Sequence, residues 1–363
     1  VPEGVVELRP PLKLAWTLPE TGASPLVQGG RCFVWSGGQN ALICTDGKGR
    51  EAWRLACRYV AYALLEREVL AVVEIPERTF LRLDQETGRC LLSAPFEHSL
   101  VKLLPERRRF IGSTTIELGP SSFRFVVALV EAIAQPVVRW TRQTEHDFEE
   151  GPCGVAYDSS LACDGSYVYV RRGSELVALD LETGEDVWAA PLEGLGGAST
   201  VGGSSAPVVS SDIVVINTLD GIAALHRSDG RAAWYFPQRG VRMVYGDRVY
   251  VVTRDEYCAV ELRTGACLLR VPLARNLEKK WRLKHVQFSS HLAVSETHGF
   301  IGDLHGRLYA FERDTGEAVW MDRPEGITAF AGSIPVIAGS RLYISGFSME
   351  PAPPPRLYCY EQA

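Results

Sequence analysis

One pattern recurs along these 363 residues often enough to decide the architecture. Residues 176–188 read LVALDLETGEDVW and residues 308–320 read LYAFERDTGEAVW, with identical spacing down to the final Trp. IAALHRSDGRAAW at 222–234 is a third copy, and ALICTDGKGREAW ends at Trp53. FLRLDQETGRCLL and YCAVELRTGACLL end at Leu92 and Leu269, with Leu in the Trp position. VVALVEAIAQPVVRW ends at Trp140, with Pro136 where the other copies have Gly. A repeat at a fixed period of this order means one supersecondary unit packed against copies of itself.

Each unit reads as four short strands. In the best-defined copy they fall at 205–210, 213–218, 222–227 and 231–236, where Val, Ile, Tyr and Thr runs are broken by Gly, Asp, Ser and Asn clusters. Asp-x-x-Thr-Gly is a tight-turn sequence: the Asp side chain bonds back to the chain and Gly takes the positive φ. No ten-residue stretch carries helical periodicity. Four-stranded all-β units in series predict a β-propeller.

The eighth copy is split. The chain ends RLYCYEQA, matching the segment before the turn, and begins with LKLAWTL, matching the segment after it, with Trp16 in the Trp position. Residues 12–18 are therefore expected to complete the last blade and to close the ring without an open sheet edge. The expectation is an all-β, eight-bladed propeller of four-stranded blades, forming one domain over residues 1–363. Six of the eight Trp residues, namely Trp16, Trp53, Trp140, Trp188, Trp234 and Trp320, are assigned to structural docking between blades.

The pattern Ala-x-Asp-x-x-Thr-Gly-x-x-x-Trp at 178–188 resembles the tryptophan-docking repeat of the quinoprotein (PQQ-like) eight-bladed propellers, a WD-like repeat. Two bacterial groups carry that resemblance: quinone-cofactor alcohol dehydrogenases, and non-catalytic BamB-like scaffolds of outer-membrane assembly. The dehydrogenases are much longer and place an adjacent Cys-Cys pair over the cofactor. None of the nine cysteines here are adjacent, and none show C-x-x-C spacing. In length the chain looks like the scaffold group. A fold of this kind hosts unrelated activities, so function has to come from the site.

The chemistry-bearing residues are sparse. Net charge is −6, with no basic stripe that would suit nucleic acid. No run of about 18 apolar residues is long enough for a membrane helix. Cys44 and Cys359 fall in a small-residue position of the third strand, and Cys90 and Cys267 fall two residues after the turn Gly. All four are expected to be packing residues, unpaired because they occupy equivalent positions in different blades. Reduced thiols point to a cytoplasmic setting, the alternative being a periplasmic one after removal of a signal. Four of seven His lie at His285, His291, His298 and His305. The blade pattern puts His285 and His305 on one face and His298 on the other, a poor metal site. No nucleophile, phosphate-loop or metalloprotease motif is present. No catalytic residue, metal or cofactor is assigned.

Long connections are expected at 141–159, 190–204, 271–285 and 346–355, all on one face of the ring, where binding concentrates on rigid scaffolds. The first is acidic, with Glu145, Asp147, Glu149 and Glu150 around His146 and Phe148. The third is basic around an aromatic residue expected to be exposed: Arg275, Lys279, Lys280, Arg282 and Lys284 flank Trp281. The resulting expectation is a non-catalytic scaffold that binds a protein partner through Trp281, Lys279, Lys280, Arg282, His285 and His305. The alternative is an enzyme or small-molecule binder using the mouth of the central channel.

Overall fold

The computed structural model describes residues 7–21, 24–75, 77–104, 109–119, 122–132, 135–147, 161–172, 175–195, 206–218, 220–330, 332–347 and 354–363. The strands form eight antiparallel four-stranded sheets arranged in a ring as a propeller. Blade one consists of Leu26–Gln28, Arg31–Ser36, Ala41–Thr45 and Glu51–Ala56. Blade two runs from Val60–Leu64 to Cys90–Pro95, blade three from Ser99–Leu104 to Pro136–Asp147, and blade four from Ala162–Cys163 to Asp186–Pro191. Blade five runs from Val208–Val209 to Ala232–Phe236, blade six from Val241–Tyr245 to Cys267–Val271, and blade seven from Ala293–Val294 to Ala318–Asp322.

Blade eight joins the two ends of the chain. Val336–Ala338, Arg341–Gly346 and Arg356–Gln362 supply its first three strands, and Leu12–Pro19 pairs antiparallel with the last of them, from Leu12 opposite Gln362 to Pro19 opposite Arg356. First strands of neighbouring blades lie side by side and are innermost.

Burial explains why the middle strands read as continuous apolar runs. The third strand of blade one, Ala41–Thr45, is buried at every position, because adjacent blades cover both of its faces. The outermost strand, Glu51–Ala56, alternates instead, with Trp53 turned inward.

The Trp position joins one blade to the next. Trp16, Trp53, Trp140, Trp188 and Trp234 lie against the turn glycines Gly49, Gly88, Gly184, Gly230 and Gly265 of the following blade. A Cβ at any of these glycines would fall within 2.7 Å of the indole, and every one has φ between 69° and 77°. Each indole N–H also donates to the same turn carbonyl: Trp53 to Gln85 at 3.0 Å, Trp188 to Arg227 at 2.9 Å and Trp234 to Leu262 at 2.8 Å. The cross-strand neighbour of four of these indoles is small: Cys44 pairs with Trp53, Ala178 with Trp188, Ala224 with Trp234 and Cys359 with Trp16, each beside a β-bulge, whereas Trp140 pairs with Leu129.

Three features depart from the sequence reading. Trp320 has no turn glycine to meet, because the third and fourth strands of blade eight are the two chain ends rather than a hairpin. It packs edge-on against Tyr360, centroids 5.8 Å apart. Cys90 and Cys267 are exposed at the start of outermost strands, not packed, and their thiols donate to Leu92 O and Leu269 O. Residues 141–147 are not a loop: they continue the fourth strand of blade three, paired to Ser122–Ala132 as far as Asp147 opposite Ser122. Glu145, His146 and Asp147 therefore belong to a strand, while Phe148, Glu149 and Glu150 lie outside the described residues.

Candidate functional site

Antiparallel order fixes the two faces of the ring. Turns joining first to second and third to fourth strands emerge on one face, and blade-to-blade connections with second-to-third turns emerge on the other. The four long segments singled out above leave from this second face. Of these, residues 148–160, 196–205 and 348–353 lie outside the described residues. The basic segment is fully described.

It contains the one α-helix among the described residues, α1 at Leu273–Trp281. Its apolar positions Leu273, Ala274 and Leu277 lie on one side and are buried between blades six and seven with Tyr257, Tyr309 and Phe311. A nine-residue helix is marginal alone, so this burial is what holds it. The docking residue missing from blade six has a substitute in that blade's third strand, Tyr257–Glu261. Blade six has Leu269 in the Trp position, and the Tyr257 hydroxyl donates to Arg313 O at 2.7 Å, the turn carbonyl that an indole N–H takes in other blades.

The helix rests against Ala318–Asp322, the outermost strand of blade seven, so the basic segment lies on the rim next to the long-connection face. Lys279 is exposed, and Lys280 donates its Nζ to Ala318 O and sits 5.7 Å over the Trp281 ring. Trp281 is half-buried, tilted against Tyr309 with centroids 6.0 Å apart, and is not the exposed aromatic expected from the sequence. Arg282 ends the helix with φ 54° and is exposed.

His285 and His305 are both exposed and meet in one corner of blade seven. Arg307 Nη2 donates to His285 O at 2.9 Å, and Leu304 N donates to Gln287 O at 2.9 Å. The carboxylate beside them is already committed. Buried Asp303 accepts from Arg307 Nε at 2.7 Å and Tyr309 OH at 2.8 Å through one oxygen, and from the His305 and Arg307 N–H groups through the other. Burial and this neighbour push the Tyr309 hydroxyl pKa up. The cluster pins the turn and, with it, the far end of the basic segment. A sequence reading missed it because Asp303 and Arg307 match no repeat position, and Tyr309, although inside a repeat copy, gives no sign of its partner.

A second latch of the same type joins blades four and five, where Asp164 accepts from Arg227 Nε at 2.8 Å and Tyr169 OH at 3.0 Å. His291 lies at the start of the innermost strand of blade seven, its N–H bonded to Ser333 O at 2.7 Å, and burial holds its ring pKa below the usual value. His298 lies at the opposite end of that blade with Nδ1 2.7 Å from Thr297 Oγ1. Among the described residues no three His, Cys, Asp or Glu converge on one point.

A cleft of about 550 Å³ opens on the first-turn face between blades one and two. Arg31, Arg67, Glu66 and Glu86 line it with Gln28 and Asp84. Asp84 is committed to its turn: Thr87 N–H at 2.8 Å and Thr87 Oγ1 at 2.7 Å both donate to it and hold its pKa down.

Comparisons with known proteins agree on the fold. The family model of the outer membrane protein assembly factor BamB matches residues 126–280, from blade three into α1. No curated protein is similar to the chain in sequence. Among solved structures, BamB from Moraxella catarrhalis superposes with a TM-score of 0.65 at 13% identity, over 96% of this chain and 99% of that one. Quinohemoprotein alcohol dehydrogenase from Comamonas testosteroni gives 0.64 at 13%, over 96% of this chain but 76% of the enzyme. The C-terminal WD40 domain of Sif2 gives 0.68 at 11%, over 99% and 100%. The eight-bladed ring is thus a fold that this chain shares with an assembly factor, a dehydrogenase and a WD40 domain.

Proposed function

We propose that this chain, an eight-bladed propeller of the PQQ-like type, is a non-catalytic scaffold that binds a protein partner through the face carrying its long connections. The observation that carries the reading is the asymmetry between the two faces. Among the described residues the first-turn face carries short, internally bonded turns such as Asp84–Gly88 and Asp180–Gly184, whose carboxylates accept from their own turn. The long segments leave from the other face, whose described part and rim present a pinned helix with exposed Lys279, Arg282 and His285, and the exposed Ile334. Rigid scaffolds display binding groups in this way.

Two comparisons support the same side. The partial family match is to an assembly factor, and the superposition spans nearly all of BamB while leaving about a quarter of the dehydrogenase without a counterpart. The residues do not fit a quinone: no cysteine has a cysteine neighbour, so the pair that the family's enzymes place over that cofactor has no equivalent. A cytoplasmic location, read from the cysteines, is part of this proposal.

The test is co-isolation from the native host with tagged wild type, with Ile334→Asp on the long-connection face, and with Arg67→Glu plus Glu86→Lys on the opposite face. A partner lost only with Ile334→Asp supports the reading. A partner list unchanged by Ile334→Asp and altered by the opposite pair contradicts it. The second reading, a small-molecule binder, is favoured by the 550 Å³ cleft on the first-turn face. Mass spectrometry of a released small molecule, absent from the Arg67→Glu plus Glu86→Lys variant, would put it ahead.

A further inference from the structure

We infer that the exposed side of α1 is a docking site for a short acidic segment of a protein partner, gripped by charge and not by an aromatic anchor. This rests on the scaffold reading and adds the chemistry of the partner. Between residues 273 and 285 the chain carries Arg275, Lys279, Lys280, Arg282 and Lys284 against one acid, Glu278, in a molecule whose net charge is −6. Glu278 is occupied, its Oε1 accepting the Val286 N–H at 3.0 Å. Lys280 is turned to Ala318 O and Glu317. Arg275, Lys279, Arg282 and Lys284 are exposed and make no ion pair with any described residue.

The segment that presents them is held at several points. Leu273, Ala274 and Leu277 are buried, Lys280 is tied to the outermost strand of blade seven, and Arg307 holds His285 O. Binding would therefore order only the basic side chains, which keeps its entropic cost low. Trp281 spends its ring on Tyr309 and under Lys280, so it is not available as a hot spot.

The extent of the patch selects the partner. The helix Leu273–Trp281 is about 13 Å long, the reach of roughly four extended residues, and Arg282 and Lys284 follow directly after it. Exposed acids flank it: Asp255 at its N-terminal end, whose carbonyl caps Ala274 N–H, and Glu317 at its side, beside Lys280. A long polyanion or an anionic membrane plane would meet those acids as well as the cations, whereas a short acidic segment meets the cations alone.

The experiment measures fluorescence anisotropy of a labelled Asp/Glu/Gly peptide of about ten residues, its Asn/Gln/Gly counterpart, and a single-stranded DNA of equal length. The protein is wild type or Lys279→Glu with Lys284→Glu, two exposed positions whose change should leave the melting temperature in place. The acidic peptide should bind wild type, weaken about tenfold or more in the variant, and weaken comparably as salt rises from about 50 to about 300 mM. The neutral peptide should not bind. Equal binding by variant and wild type, no binding of the acidic peptide, or tighter binding of the DNA would overturn the inference. If the peptide fails while co-isolation still loses a partner with Ile334→Asp, this inference falls and the scaffold reading stands. If the peptide binds and no partner is co-isolated, the scaffold reading is the one that fails.

Discussion

At the scale of single residues, the ring depends on indoles that each serve two blades. Trp234 is nine-tenths buried, covers Gly265 and donates to Leu262 O. Trp234→Ala should cost about 3–5 kcal/mol, the usual loss for a large buried aromatic, measured by denaturant unfolding. A loss under about 1 kcal/mol would mean the indole is not a link between blades. Tyr257→Phe isolates the substitute for a docking N–H. It should cost about 1 kcal/mol, the net value of one hydrogen bond. The thiols give a cheaper check. Burial raises the pKa of Cys32, Cys44, Cys57, Cys258 and Cys359, the last to about 12, while Cys90 and Cys267 are exposed. Alkylation of native protein followed by peptide mass spectrometry should mark Cys90 and Cys267 before the buried five. The reverse order would contradict the packing of blades eight and one, where Cys32 and Cys359 share one cluster.

At the scale of elements, α1 and blade three show where a sequence stops being legible. The four-strand unit could be read because its signal is repeated: Gly at a positive φ, Asp bonding back, Trp at a fixed distance. Even the small position opposite the indole is visible as Ala178, Ala224 or Cys44. The helix is a single event. Nine residues with three apolar positions do not establish a 3.6-residue period, and its stability comes from Tyr257, Tyr309 and Phe311, which are distant in sequence. The burial of Trp281 was illegible for the same reason, since its partner Tyr309 lies in another blade's repeat. In blade three the fourth strand runs on to Asp147 through polar residues that, taken alone, look like a loop. Trp281→Ala should therefore lower stability measurably, with loss of packing against Tyr309. An unchanged melting temperature would return Trp281 to the solvent and to a direct binding role.

At the scale of the whole molecule, the pairing of the two terminal strands closes the ring, and half-buried histidines give its stability a pH dependence. Deleting residues 1–18 removes the outermost strand of blade eight and the Trp16 contact with Gly49, so the protein should open and aggregate. A soluble truncation with an unchanged melting temperature would show that the ring does not need this strand. Burial lowers the pKa of His98, His291 and His298, and Arg242 adds to the effect at His291. The unfolded chain then binds protons more readily than the native one, so stability is full above the ordinary His pKa of 6.5 and is lost as pH falls below it toward the lowered native value. His291→Asn should shrink the drop in melting temperature between about pH 7.5 and about pH 5.5 relative to wild type. An equal drop would place the pH dependence elsewhere. The partner-binding role itself is tested most directly by hydrogen–deuterium exchange on the propeller with its co-isolated partner bound. Protection is predicted over Leu273–Trp281 and the neighbouring residues 282–292 and 323–335. Protection confined to Asp84–Gly88, Asp180–Gly184 and the other turns of the first-turn face, with the helix unchanged, would contradict it.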